Sequence, residues 1–131
     1  MWGYRNQRFE YLSKVAARID DILNYVPARL TAISYALMGK FKLAIQSWLS
    51  EAKQLDSPNA GPVMTTGAGS LDIHLGGEAY YDGKLVDKPS FGGTRLPSRH
   101  HINSANKLVV RALVLWCVVI FAIDIIQWII V

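Results

Sequence analysis

The chain has 131 residues, 51% of them hydrophobic, a formal charge of +4 and one cysteine. That length bounds it to one domain at most, and the single Cys117 excludes an intramolecular disulfide and any cysteine-paired metal site. The basic balance suits an anionic membrane surface or small anionic molecules. Nucleic acid is not expected as a partner, because the basic residues are spread along the chain and its strongest apolar segment is the C-terminus.

The first eight residues, Met1-Trp-Gly-Tyr-Arg-Asn-Gln-Arg8, lack the apolar core of a secretory signal. From there to residue 55 the pattern predicts amphipathic and interfacial helices. Phe9, Leu12, Ala16, Ile19, Leu23 and Val26 recur at helical spacing over residues 9–26. Asp20, Asp21 and Asn24 fall on the opposite face, within about 100° of one another. Two carboxylates and an amide on one polar patch are either a solvated face, with Arg18 and Asp21 as a surface ion pair three residues apart, or a site for Mg²⁺ or a substrate. Pro27 interrupts this helix and suits the start of another. The next stretch has two readings. Residues 22–39 span a membrane, or residues 28–55 form a helical hairpin that dips into the interface and returns; the second is preferred, since it keeps Asp20 and Asp21 on the side of the following loop.

Residues 56–107 hold 8 of the 10 glycines and 4 of the 5 prolines. So long a connection is functional or disordered. Leu71, Ile73, Leu75, Tyr80, Tyr81, Leu85, Val86 and Phe91 carry too much apolar surface for disorder, so an ordered loop that shapes a site is expected. Gly67-Ala-Gly69 fails as a dinucleotide fingerprint, because Asp72 stands where the third glycine belongs. His74, His100 and His101 do not have metal-ligand spacing. The last segment, 108–131, is apolar apart from Arg111, Asp124 and Gln127, and from Ala112 onward it is long enough to cross a hydrocarbon core of about 30 Å. Arg99, His100, His101, Lys107 and Arg111 precede it and no basic residue follows, which places 56–107 in the cytoplasm. Asp124 and Gln127 share a face, and a carboxyl group deep in lipid normally faces other protein, so another helix is expected against it. The fold class read from this is an all-α integral membrane protein with a long Gly/Pro-rich ordered loop and a C-terminal transmembrane helix.

Gly3-Tyr-Arg-Asn6, Ala17-Arg-Ile-Asp-Asp21, Asn24, Pro27-Ala-Arg-Leu-Thr31, Ser57-Pro-Asn-Ala-Gly61, Leu75-Gly-Gly77 and Tyr81-Asp-Gly83 occur in this order. Together they closely resemble the adenosylcobinamide-phosphate synthase family of cobalamin biosynthesis, the CobD/CbiB membrane proteins. The resemblance covers nearly all of the chain, and it implies the C-terminal part of a longer, multi-pass protein of the cell inner membrane. That portion would work with the N-terminal half of the same enzyme or another chain. It also implies an ATP-dependent ligase that joins adenosylcobyric acid, a corrinoid, to an aminopropanol phosphate, with Mg²⁺. On that reading Asp20, Asp21 and Asn59 are catalytic, and Asp20 and Asp21 hold Mg²⁺. Arg5, Asn6, Arg18, Asn24, Arg29, Ser57, Gly61, Gly76, Gly77 and Tyr81 bind substrate, the arginines as phosphate ligands, and Tyr80 and Tyr81 offer flat surface to the corrin ring. Membrane lipid is the remaining partner. One departure is visible: many relatives follow the Ser-Pro-Asn-Ala-Gly run with an aromatic-Pro-acidic stretch, where this chain has Pro62-Val-Met64.

Overall fold

The computed structural model describes residues 10–81 and 83–130. Helix α1 (Glu10–Leu23) runs almost directly into α2 (Tyr25–Met38). Asn24 still donates its backbone N–H to Asp20 O and accepts from Ala28 N–H. The ladder breaks there because Pro27 has no N–H for the Leu23 carbonyl, while its own place in the first turn of α2 costs nothing. Helix α3 (Phe41–Glu51) follows after a sharp turn at Gly39-Lys40 and ends in a 3-10 turn, Ala52–Gln54. In this region α2, the turn and α3 form a helical hairpin. At 14 residues, α2 reaches only about 21 Å, short of a membrane span.

Residues 56–107 are not a loop. They contain α4 (Ala60–Leu71), an antiparallel hairpin of β1 (His74–Tyr81) and β2 (Lys84–Gly92), and the first turns of α5 (Arg99–Ile130). The all-α expectation is corrected accordingly: the described residues are mostly helical with one two-stranded sheet. The last helix starts nine residues before the apolar run begins.

Helix α4 is the centre of the packing, with α2 and α3 laid against it. Its buried positions are Gly61, Pro62, Thr65, Thr66, Ala68, Gly69 and Ser70. Small residues let backbones approach closely, and the facing positions are small too: Ala28, Ala32, Ser34 and Ala36 on α2, Ala44 and Ser47 on α3. A Cβ on Gly69 would come within 2.7 Å of Leu43 O and 2.9 Å of Ala44 Cα, so glycine there sets the α3–α4 spacing. Ser70 Oγ donates to Tyr35 O at 2.8 Å, tying α4 to α2 across the same seam.

At the end of α4, Asp72 adopts the left-handed conformation (φ 55, ψ 44). Its N–H bonds Gly69 O, and Ile73 N–H bonds Ala68 O, the paired closure usually built on glycine. A non-glycine residue costs about 1–2 kcal/mol in that conformation. The Asp72 carboxylate offsets this with Lys40 Nζ at 2.8 Å, Thr94 N at 3.1 Å and Arg95 Nε at 3.4 Å. The Lys40 hydrogen bond, then the Thr94 N–H and the charges of Lys40 and Arg95, hold this carboxyl at about 2, well below its ordinary 3.8, although partial burial opposes them. Beyond this clasp Ala68, Ile73 and Phe91 form a small core with Leu55, Leu71 and Leu75 around it. The hairpin projects from that core, with residues 84–90 exposed. Its register slips by one between Leu75 and Gly77, where β2 carries an extra residue: Pro89 and Ser90 together oppose Gly76 (φ +93), which packs against the Pro89 carbonyl.

Helix α5 touches the rest through one stripe. Leu108 and Ala112 are buried, and Trp116 Nε1 donates to Ser34 Oγ at 3.0 Å. Below that level it is bare. It is the one described helix long and apolar enough to cross a membrane, and only 6% of its most apolar window is buried.

Candidate functional site

Ser57-Pro-Asn-Ala-Gly61 is the start of α4, and each residue has a local task. Ser57 Oγ accepts the N–H of Asn59 at 3.3 Å and of Ala60 at 3.2 Å, and Ser57 O accepts Gly61 N–H. Serine thus caps the first turn, and Pro58 fills the position whose N–H would be unsatisfied anyway. Gly61 has no room for a side chain, because a Cβ would overlap the Ala52 carbonyl oxygen. With the backbone so fixed, the Asn59 side chain lies between α1 and α2, 9% exposed.

Asn59 joins the elements. Its Nδ2 donates to Asp21 O at 2.8 Å and, more weakly, to Asp21 Oδ1 at 3.4 Å. Its Oδ1 accepts from Arg29 NH1 at 3.1 Å. The same Arg29 nitrogen donates to Tyr25 O at 2.9 Å, and NH2 donates to Pro58 O at 3.2 Å, while the guanidinium lies 3.3 Å over the Tyr25 ring. Three of the five N–H groups of Arg29 are therefore spent inside the protein. The resemblance casts Arg29 as a phosphate ligand; the geometry makes it first a strut that orients Asn59 and the Ser57–Gly61 turn. On α1, Asn24 Nδ2 donates to Asp20 Oδ1 at 2.8 Å.

Asp20, Asp21, Asn24, Ser57, Asn59 and Met64 line one cleft of about 490 Å³. So seven of the residues singled out by sequence meet here or beside it: Asp20, Asp21, Asn24, Ser57 and Asn59 in the wall, with Arg29 and Gly61 behind. Arg29 instead faces a neighbouring cleft of about 430 Å³, across Pro58, with Trp48, Lys53 and Asp56. Met64 stands in the wall of the first cleft and is half exposed.

The other candidates lie elsewhere. Arg18 is exposed on α1 and lines neither cleft, and among the described residues it forms no ion pair with Asp21. Gly76 and Gly77 are at the far end of α4, roughly 18 Å of helix away, where both have positive φ in the hairpin. Tyr81 closes β1, and Tyr80 beside it is exposed near the hairpin tip. Arg5 and Asn6 fall outside the described residues. Asp72, Lys40 and Arg95 were not legible as a unit, since their clasp brings together residues 32 and 23 positions apart.

Two carboxylates in one cleft, each with an oxygen that accepts no hydrogen bond among the described residues, suit a hard cation that keeps most of its water. No described group of three or more His, Cys, Asp or Glu could hold a metal by itself. A Mg²⁺ carried in on a phosphate fits this donor set; a structural Zn²⁺ does not.

A family model described as CobD/Cbib protein matches residues 1–109. The chain belongs to the CobD/CbiB family. It is similar to proteins named Cobalamin biosynthesis protein CobD. The one from Stutzerimonas stutzeri (strain A1501) is 51% identical over 120 residues, covering 92% of this chain and 40% of that protein. The one from Chromobacterium violaceum is 46% identical over 116 residues, 88% of this chain and 37% of that protein. This chain thus spans about two fifths of the length of these CobD relatives, and corresponds to their C-terminal part. No solved structure matches it. The CobD/CbiB match contains every residue of the Asp20–Asn59 cleft and ends inside α5, so most of the apolar stretch lies beyond it.

Proposed function

We propose that this chain is the C-terminal part of a membrane synthase of cobalamin biosynthesis. The reaction joins the free carboxyl of adenosylcobyric acid to the amine of (R)-1-aminopropan-2-ol phosphate, with ATP consumption, giving adenosylcobinamide phosphate. The observation that carries the reading is the convergence of Asp20, Asp21, Asn24 and Asn59 on one cleft, held by Ser57 and Arg29, in a chain of this family.

The roles follow from the donor chemistry. Asp20 and Asp21 would hold Mg²⁺ on a phosphate group, and the bound ion would supply charge neutralisation there. The amide of Asn59 is oriented at both ends, so it presents a fixed dipole to the cleft with little entropy to lose on binding. Asn24 holds Asp20 in one rotamer. The corrinoid is the larger partner and would approach over the cleft mouth; Tyr80 and Tyr81, at the hairpin tip, line no part of that cleft. Residues 108–131 would cross the inner membrane with residues 56–107 on the cytoplasmic side, which is the side that holds ATP. A cysteine at Ser90 should then resist labelling from outside intact cells.

One observation favours a second reading, a non-catalytic sensory or assembly protein of the same superfamily. Met64 puts a thioether into the cleft wall, where the family resemblance implies an acid. A chimera decides between the two. The corresponding 120 residues of the Stutzerimonas relative are replaced by this chain, in a strain that lacks the synthase and is fed cobyric acid. Growth and product mass should be restored, and Asp20→Asn or Asp21→Asn should lower turnover by well over ~10-fold at equal membrane protein level. An inactive chimera that Met64→Glu reactivates would establish the second reading. Normal turnover in both Asn variants would leave the acidic patch as a solvated face.

A further inference from the structure

A second cleft, of about 350 Å³, lies at the opposite end of α4, where the Gly39-Lys40 turn meets α5. Its wall carries three cations, Lys40, Lys107 and Arg111. Lys40 is engaged by Asp72. Lys107 and Arg111 are exposed, and among the described residues neither pairs with a carboxylate or a carbonyl. They are four apart on one helix, so like charges sit one turn above the other. That arrangement destabilises an isolated helix by a few tenths of a kcal/mol, so helix stability does not account for it. Buried Leu108 and Ala112 press α5 against α2 and α4, and this fixes the rotation that turns both cations toward the cleft.

Two ordinary explanations compete. The C-termini of α2 and α4 converge here and carry roughly half a negative charge each. Set with Asp72 against three cations, they leave about one positive charge in excess. The cations also suit the cytoplasmic head of a membrane span, which needs no pocket at all. The depth of Arg111 argues for more. From Ala112 to Ile130 the helix runs about 28 Å, the thickness of the hydrocarbon core. Arg111 is thus at the level of lipid phosphates, and Lys107 about 6 Å above it.

We infer that Lys107 and Arg111, with Lys40 behind them, form a phosphate-binding site separate from the Asn59 cleft, which takes an anionic phosphoester at the membrane surface. The phosphate belongs either to a phospholipid headgroup or to a soluble phosphoester. The lipid source rests on α5 crossing the membrane; the soluble source does not.

The test uses the chain purified in a zwitterionic detergent. Retention of phosphatidylglycerol against phosphatidylcholine is counted by native mass spectrometry, and binding of inorganic phosphate and of ATP is measured by equilibrium dialysis. Alkaline carbonate extraction of expressing membranes reports separately whether α5 is inserted. The variant is Lys107→Gln with Arg111→Gln. Lys84→Gln with Arg99→Gln removes the same charge elsewhere, and Lys107→Arg with Arg111→Lys keeps the charge. Retention or phosphate binding should fall on the order of tenfold or more in the first variant, stay near wild type in the second and largely survive in the third. Loss of phosphatidylglycerol alone assigns a lipid; loss of soluble phosphate alone assigns a soluble phosphoester, and that result stands even if carbonate extracts the chain. Equal loss in the two charge-removing variants means net charge only and overturns the site. So does no loss in either. A fall that the charge-keeping variant shares, accompanied by lower helix content, assigns the two residues to folding and overturns it as well.

Discussion

Alanine at two glycines of the same helix should act in opposite directions. Gly67 and Gly69 are both interior to α4, so both gain about 1 kcal/mol of helix propensity when changed to alanine. At Gly67 the new Cβ would lie 3.6 Å from the Tyr35 ring, an ordinary contact. Gly67→Ala should therefore stabilise by ~0.5–1 kcal/mol. At Gly69 the new Cβ would sit 2.7 Å from Leu43 O and 3.0 Å from Leu43 C, which are backbone atoms that cannot rotate away. Relief needs α3 to retreat by roughly 0.5–1 Å, and a gap of that size forfeits a quarter to a half of each contact across the seam. Overpacking of this kind costs about 1–3 kcal/mol, so after the propensity gain the net effect of Gly69→Ala is a loss of up to ~2 kcal/mol. Thermal unfolding in one detergent, followed by far-ultraviolet circular dichroism, should place the midpoints on either side of wild type by a few degrees. The same gain in both variants would refute the close α3–α4 approach, because propensity alone treats the two sites alike.

Arg29→Lys should lower stability by ~1–2 kcal/mol, since a point charge cannot bridge Tyr25 O, Asn59 Oδ1 and Pro58 O together; unchanged unfolding with lost phosphate binding would instead make Arg29 a ligand and not a strut. The Asp72 carboxyl titrates near 2 when folded, below its ordinary 3.8, so its clasp is complete above about pH 4 and is lost as pH falls toward 2. Asp72→Asn should flatten that acid limb of the unfolding curve, and an identical limb in wild type and variant would count against the clasp. Gly83 has φ +76 with open space around it, so Gly83→Ala should cost about 1 kcal/mol through backbone strain and show in hydrogen exchange of the hairpin amides alone.

The break at Pro27, the separate α3 segment and the long last helix were legible because each rests on strong local signals: a missing N–H, apolar periodicity and an unbroken apolar run. The patch of Asp20, Asp21 and Asn24 was legible from helical spacing alone, and the ordered motif set brought Asn59 to it. Helix α4 was not. Its buried face is Gly61, Pro62, Thr65, Thr66, Ala68, Gly69 and Ser70, which offers little hydrophobic contrast and, Ala68 apart, poor helix propensity, so it reads as loop. The hairpin did leave a mark. Asp82-Gly83, flanked by Tyr80-Tyr81 and Leu85-Val86, is a strong two-residue turn signal. It was masked by the absence of apolar alternation, since the arm projects into solvent and, among its described residues, only Phe91 near its base is buried. Asp72 could not have been anticipated, because a left-handed aspartate is stabilised here by partners from two distant turns. The apolar face of α1 is the converse case. Ile19 and Leu23 have the expected spacing, yet both stay exposed within this chain.

A sheet of two strands has two open edges, each a template on which a foreign strand can pair. This arm is poorly suited to that. On β2, Lys84, Asp87, Lys88 and Pro89 put three charges and a missing donor along a nine-residue strand. The extra residue of β2 at Pro89-Ser90, opposite Gly76, also bulges the backbone out of register. The exposed hairpin can therefore reach well beyond the helices without recruiting copies of itself, and whatever it touches must be met by side chains and not by strand addition.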